Sequence, residues 1–352
     1  TALQPRAPDP VIINTPGRGR PATILSQATP PQPDPSARLR AVAADVSAAL
    51  QFFSERFGPP SMKTLTVSPV PGAFGQGFPG LLYLSTLAYM NPSEWPAGMR
   101  NERSRLLFTD LIESHEVAHQ WWGNVVTPSS SQDEWIQEGL ADYSSLLWLE
   151  KKKGVRALDE VLDLYREDLL RKGANGQTVE SFGPITWGFR LEAGDPDSWR
   201  AITYEKGAWI FHMLRRRLGD DKFLAMLTEV RKRFEFQAIT TRDLVAVIKD
   251  FRPAGLSASA IDEFFDNWVF STGVPSLKLN YSIKGTRVSG SVAVSGVDND
   301  FAAQVPVEIQ FAKSPARTIW VEASTDEGAF STTLPETPLK LSIPNSVLAA
   351  RR

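Results

Sequence analysis

Three histidines occur in the chain, and two of them stand four residues apart with a glutamate directly after the first: His115-Glu116-Val117-Ala118-His119. On a helix, positions i and i+4 share a face, so both imidazoles can aim at one point while Glu116 falls on the adjacent stripe. That arrangement suits two metal ligands and a general base beside an open coordination position. The plainer alternative is a pair of helix-face histidines making ordinary hydrogen bonds. A third ligand candidate weighs against it. Glu138 lies in "DEWIQEGLADY", on a second helical segment beyond a short loop through Pro128-Ser129-Ser130. The loop lets the two helices pack antiparallel and brings Glu138 towards the histidines. Two His and one Glu leave the fourth position of a tetrahedral zinc site for water, which is the catalytic type. One zinc ion per chain is expected, although other divalent metals of similar geometry fit the same donors. Asp142, one turn beyond Glu138, is the candidate partner for a histidine's other ring nitrogen; a surface aspartate is the alternative.

The elements that must carry these residues are visible as periodic segments. Leu39, Val42, Val46, Leu50, Phe53 and Phe57 recur at helical spacing after Ser36, a candidate N-cap, and Gly58-Pro59-Pro60 stops that helix. Two strand candidates follow, residues 63–70 and 80–86, separated by the Gly-rich "GAFGQGFPG". Helical patterns then dominate over residues 103–122, 131–153, 204–218, 221–234 and 241–250. Beyond Gly273-Val274-Pro275 the period changes. "LKLNYSIKG", "RVSGSVAVSG", "VPVEIQFA" and "RTIWVEAS" alternate apolar and polar residues, the pattern of a small antiparallel sandwich. The expected division is a Pro-rich linker or arm over 1–35, a catalytic domain over 36–273 and a β-sandwich over 274–352.

Composition narrows the partners. A formal net charge of -2 gives no case for nucleic acid, and no apolar stretch approaches the roughly 20 residues of a membrane span. Cysteine is absent, which excludes disulfides and thiol chemistry. The location stays open between the cytoplasm and the envelope or secreted space, with a slight lean to the latter. The start at Thr1-Ala2-Leu3 and the Pro-rich stretch fit a processed chain with a missing N-terminal domain or a partner fragment. The lone Gly75-x-Gly77 makes no nucleotide site. His212, amid Ile210, Phe211, Met213 and Leu214, reads as a packing residue.

With eighteen residues between His119 and Glu138, "HEVAHQWWGN" and "WIQEGLADY" closely resemble the M1 family of zinc metallopeptidases, the gluzincins. "TYEKGAWIFHMLRRRLGDDKF" extends the resemblance, which runs from about Ser36 to Pro275. It implies an α+β fold: a thermolysin-like, mainly helical zinc-peptidase catalytic domain followed by a small antiparallel β-sandwich. It also implies that Tyr204, in the family's Tyr-x-Lys-Gly-Ala segment, stabilises the oxyanion; a core tyrosine at a helix start is the alternative. Glu116 would accept the proton of the attacking water.

One feature departs from the family. Its aminopeptidases carry Gly-Ala-Met-Glu-Asn before the strand that lines the substrate cleft, and the glutamate grips the substrate's α-amine. Aligning "FPGLLYLS" with that stretch puts Gly77 at the glutamate's place, and Gln76 can hydrogen-bond an amine without neutralising it. Gln76 and Gly77 are the substrate-binding candidates, and the strand can hold an extended peptide by its backbone. The expected activity is zinc-dependent hydrolysis of a peptide or protein substrate, of aminopeptidase type with unusual N-terminal recognition. The alternatives are an endopeptidase and, from another class, a catalytically impaired peptide-binding scaffold.

Overall fold

The computed structural model describes residues 34, 36–174, 176–298, 301–324 and 328–350. The arm expected over 1–35 lies outside the described residues except for Asp34. A helical body carries a three-stranded sheet at one side and is followed by paired small sheets. No helix among the described residues is long and apolar enough to cross a membrane.

The first helix, Leu39–Phe57, buries Val42, Val46, Ala49, Phe53 and Phe57 on one stripe. That stripe packs against the chain that carries the histidines. Phe53 meets Trp121 edge-on at 6.0 Å between ring centroids, and Phe57 meets Trp122 at 5.1 Å. Trp121 Nε1 donates to the Gly58 carbonyl at 2.9 Å, so the end of the first helix pins the end of the histidine helix.

The sheet beside the site has strands β1 (Thr66–Val70), β2 (Gln76–Phe78) and β3 (Leu81–Ser85), in the order β1-β3-β2. β1 runs parallel to β3 and β2 antiparallel. β2 is therefore an edge strand, drawn from the Gly-rich segment that sequence reading left as a link. β4 (Val126–Pro128) and β5 (Gln237–Ile239) form a separate parallel pair.

The helix expected over 103–122 is broken into pieces. Glu102–Leu106 is α-helical, Leu107–Leu111 is a π-helix, and Ile112–Ala118 is α-helical again. The chain then turns, because His119 Nδ1 bonds the Trp122 carbonyl at 2.9 Å and Gly123 takes a φ of 107° that side chains disfavour. Glu134–Lys153 forms the second site helix. A further amphipathic helix, Val155–Leu170, follows it immediately. A second π-helix, Ala201–Lys206, leads into the helix Gly207–Leu218. Gly139 and Gly207 touch: a β-carbon on Gly139 would stand 2.9 Å from the Gly207 Cα. The helix of Glu138 and the segment of Tyr204 thus meet backbone to backbone.

The last part holds strands β6 (Ser276–Lys284), β7 (Arg287–Ser295), β8 (Ala302–Gln310), β9 (Arg317–Ser324), β10 (Gly328–Thr333) and β11 (Lys340–Ser342). They pair as β10-β7-β6 and β11-β8-β9, all antiparallel, with Val288, Val292, Val305, Val307 and Val321 buried between the sheets. Ahead of them lies a buried ion pair, Lys206 Nζ to Glu180 Oε1 at 2.7 Å, with side chains 0% and 1% exposed. The Gly273 amide donates to Glu180 Oε2 at 2.8 Å, tying this pair to the junction. Removing one partner strands a buried charge. Lys206→Met is expected to cost about 3–5 kcal/mol in urea unfolding, and adding Glu180→Leu is expected to restore most of it. A single variant within 1 kcal/mol of the parent would refute this.

Candidate active site

The histidine helix presents His115 one turn before its end and His119 at its C-cap. Glu138 reaches them from the facing helix. Their nitrogens and one carboxylate oxygen lie within 4.8 Å of one another. The separations are 3.2 Å between the two Nε2 atoms, 3.6 Å from His115 Nε2 to Glu138 Oε2, and 3.5 Å from His119 Nε2 to the same oxygen. Bonds of about 2.0–2.1 Å at tetrahedral angles place ligand atoms roughly 3.3 Å apart, so this donor set fits zinc.

The charges agree with that fit. Burial opposes charge on His115, but hydrogen bonds that the ring donates to Asp142 and Glu138 outweigh it and hold the ring's pKa well above its ordinary value. Burial likewise opposes ionised Glu138, yet His119 and His115 bring its pKa down to about 2. The bond from His119 Nδ1 to the Trp122 carbonyl leaves its Nε2 lone pair aimed inward. Asp142 Oδ1 lies 3.5 Å from His115 Nδ1, the place expected of a carboxylate that orients a ligating ring.

Glu116 is 5% exposed and sits beside the triad rather than within it. Burial raises its pKa; the two histidines and the Gly77 amide pull the other way, and Glu138 adds to the rise. A carboxylate so placed is a better proton acceptor than a solvated one. Tyr204 stacks on His115 at 5.9 Å between ring centroids and meets Trp199 edge-on at 5.6 Å. Burial first, then Glu138, Glu134 and Glu116, push its pKa far up, so the phenol keeps its proton and remains a donor. His212 lies elsewhere, buried against Tyr143, whose hydroxyl is 3.1 Å from Nδ1.

A cavity of about 480 Å³ opens on this group. His115, Glu116, His119, Glu138, Asp142 and Tyr204 all line it. Gln76 lines it too, from the free edge of β2, whereas Gly77 does not. Gly77 is buried against the histidine helix instead: a β-carbon there would come 2.5 Å from the Glu116 carbonyl oxygen and 2.7 Å from His119 Cβ. At Gly75, also on the cavity wall, a β-carbon would overlap the Glu116 carboxylate. The close approach of β2 to the helix therefore requires glycine at both places. Gly77→Ala is expected to cost about 1–3 kcal/mol through forced backbone movement and to weaken metal binding. Calorimetric melting and a metal titration check this; unchanged values in both would refute it.

Three residues of the cavity escape sequence reading. Glu205, beside Tyr204, faces into it, as do Arg200 and Trp199. The signal would have been a spacing of five, from 199 and 200 to 204 and 205, which a π-helix places on one face.

A profile described as the peptidase family M1 domain matches residues 95–268. Glutamyl aminopeptidase of Sus scrofa is 29% identical over 169 residues, 48% of this chain and 17% of that protein. Leucine aminopeptidase 2 of Candida albicans is 31% identical over 183 residues, 47% of this chain and 29% of that protein. The matched parts thus span less than a third of these relatives. The crystal structure of Legionella pneumophila aminopeptidase A in complex with aspartic acid is similar in fold, with a TM-score of 0.65 and 16% identity over 88% of this chain and 34% of the other.

Proposed function

Because the chain carries a metallopeptidase domain of family M1, we propose that it hydrolyses peptide bonds with one zinc ion, as an aminopeptidase whose recognition of the N-terminus does not rest on a carboxylate from the edge strand. The observation that carries this reading is the convergence of His115, His119, Glu138, Glu116 and Tyr204 on one cavity.

His115, His119 and Glu138 would hold the metal, which supplies Lewis acidity that polarises a peptide carbonyl and lowers the pKa of water. Glu116 accepts the proton of the attacking water and hands it to the leaving amine. Tyr204 donates its hydroxyl hydrogen to the carbonyl oxygen as that oxygen gains charge. Asp142 steadies the His115 ring through Nδ1. β2 offers its unpaired edge to an extended peptide, with Gln76 on the cavity side.

A second reading, an endopeptidase, is favoured by Gly75 and Gly77, since neither position can carry a group that neutralises an α-amine. One experiment separates the readings. The zinc-loaded chain is given matched peptides with free and acetylated N-termini, products are read by mass spectrometry, and Glu116→Gln is the control. Stepwise trimming of the free peptide alone supports the aminopeptidase. Internal cuts in both overturn it in favour of the endopeptidase, and cleavage of neither overturns both.

A further inference from the structure

We propose that Phe182, Trp187 and Phe189 form an aromatic platform beside the cavity that binds apolar downstream residues of an extended peptide. The proposal rests on the peptidase reading for the identity of the ligand as a substrate, but not for the binding itself.

The three residues are 39%, 43% and 58% exposed, and they fall within eight consecutive positions. Aliphatic neighbours already anchor this segment, since Val179, Ile185 and Leu191 are buried. The aromatic side chains are left over from that anchoring, and an exposed group of them is the kind of surface that a partner covers. Glycines hold two of the rings in place. A β-carbon on Gly183 would overlap the Trp187 ring, and one on Gly194 would come 2.6 Å from Phe182 Cζ. Each ring thus lies against bare backbone on one side and keeps the rest open to solvent. Rings held this way have little freedom left to lose on binding, which makes them effective anchors.

The platform adjoins the cavity wall. The helix Phe189–Gly194 packs against the helix Pro196–Arg200, whose Trp199 and Arg200 line the cavity. Gly188, at a φ of 53°, leaves no room for a side chain against the Ser131 carbonyl, just ahead of the helix that carries Glu138. The loop is therefore fixed to both elements that border the metal cluster on this side. With the first residue of a peptide at the cluster, everything that leaves the cavity is downstream of the bond to be cut. A bilayer is the other surface that covers exposed aromatic rings. Charge disfavours it: over residues 178–200 the exposed Arg190 and Arg200 are offset by the exposed Glu192 and Asp197, so nothing draws an anionic lipid surface here.

Binding is measured by fluorescence anisotropy on the zinc-loaded Glu116→Gln chain, so that peptides are held without being cut. Three peptides carry a label on a C-terminal lysine: one short peptide that ends inside the cavity, and two long ones whose downstream residues are either leucine and phenylalanine or serine and glutamine. The apolar long peptide is expected to bind about ten- to a hundredfold more tightly than the polar one, the gain from covering two or three half-exposed rings. Replacing Phe182, Trp187 and Phe189 together by serine is expected to abolish that difference and to leave the short peptide unchanged. Phe189→Ser alone, which leaves both glycine contacts in place, is expected to weaken the apolar long peptide by about three- to fivefold. Equal affinity of the two long peptides for the chain with its three rings overturns the proposal. So does a triple variant that weakens all three peptides alike, or a Phe189→Ser that binds the apolar one undiminished. Cosedimentation with phosphatidylcholine vesicles that is lost in the triple variant overturns it in favour of a bilayer. Tail-selective binding, where the chain with Glu116 in place cleaves no peptide, keeps the platform and overturns the peptidase reading. Cleavage without tail selectivity does the reverse.

Discussion

Glu116→Gln is expected to lower turnover by about 10²–10⁴-fold, the range a positioned general base contributes, while metal stoichiometry stays unchanged. Glutamine keeps the size of the side chain and its place beneath Gly75, where space is already exhausted. It cannot accept the proton of water. His115, His119 and Glu138 retain their mutual positions, because none depends on Glu116 as a bonding partner. The measurement is kcat on an unblocked peptide, together with metal analysis of the purified variant. A variant retaining more than about a tenth of the parent's turnover would remove Glu116 from the proton path.

Tyr204→Phe is expected to lower kcat by about 10²–10³-fold with little change in KM. The phenol oxygen matters only when the substrate oxygen becomes charged, so its loss is felt in the transition state and not in ground-state binding. Phenylalanine preserves the stack on His115 and the edge contact with Trp199. A rise confined to KM, with kcat intact, would make Tyr204 a substrate-binding residue and would remove it from the oxyanion.

The clustering of His115, His119 and Glu138 was legible because it is encoded at short range. The i, i+4 pair needs only a helix, and Glu138 needs only a loop short enough to bring a second helix back beside the first. Asp142 follows from the same periodicity, one turn beyond Glu138. β2 was not legible. It is three residues long, and its central Gly77 is glycine because it presses against Glu116 and His119, 39 and 42 positions further along the chain. Nor was the β4–β5 pair, since a parallel match between residues 126–128 and 237–239 leaves no local pattern. The helix Val155–Leu170 carries a regular apolar stripe, and the three lysines and Gly154 before it mask its start. Both π-helices were invisible for another reason. A period of 3.6 describes their neighbours well, and the departure from it affects only a few residues. Glu205 lies within one of them.

A π turn holds one residue more than the α turn it replaces. The number of residues in Ala201–Lys206 is therefore as much a part of the site as their identities. Shortening the segment by one would close it into ordinary helix and rotate Trp199 and Arg200 by about 100° relative to Gly207. Every motif letter would survive, but the letters would point in new directions. A single-residue gap at this place in a relative would carry functional information of the kind usually sought in substitutions. Alignments that slide across the gap would pair residues that occupy different walls of the cavity.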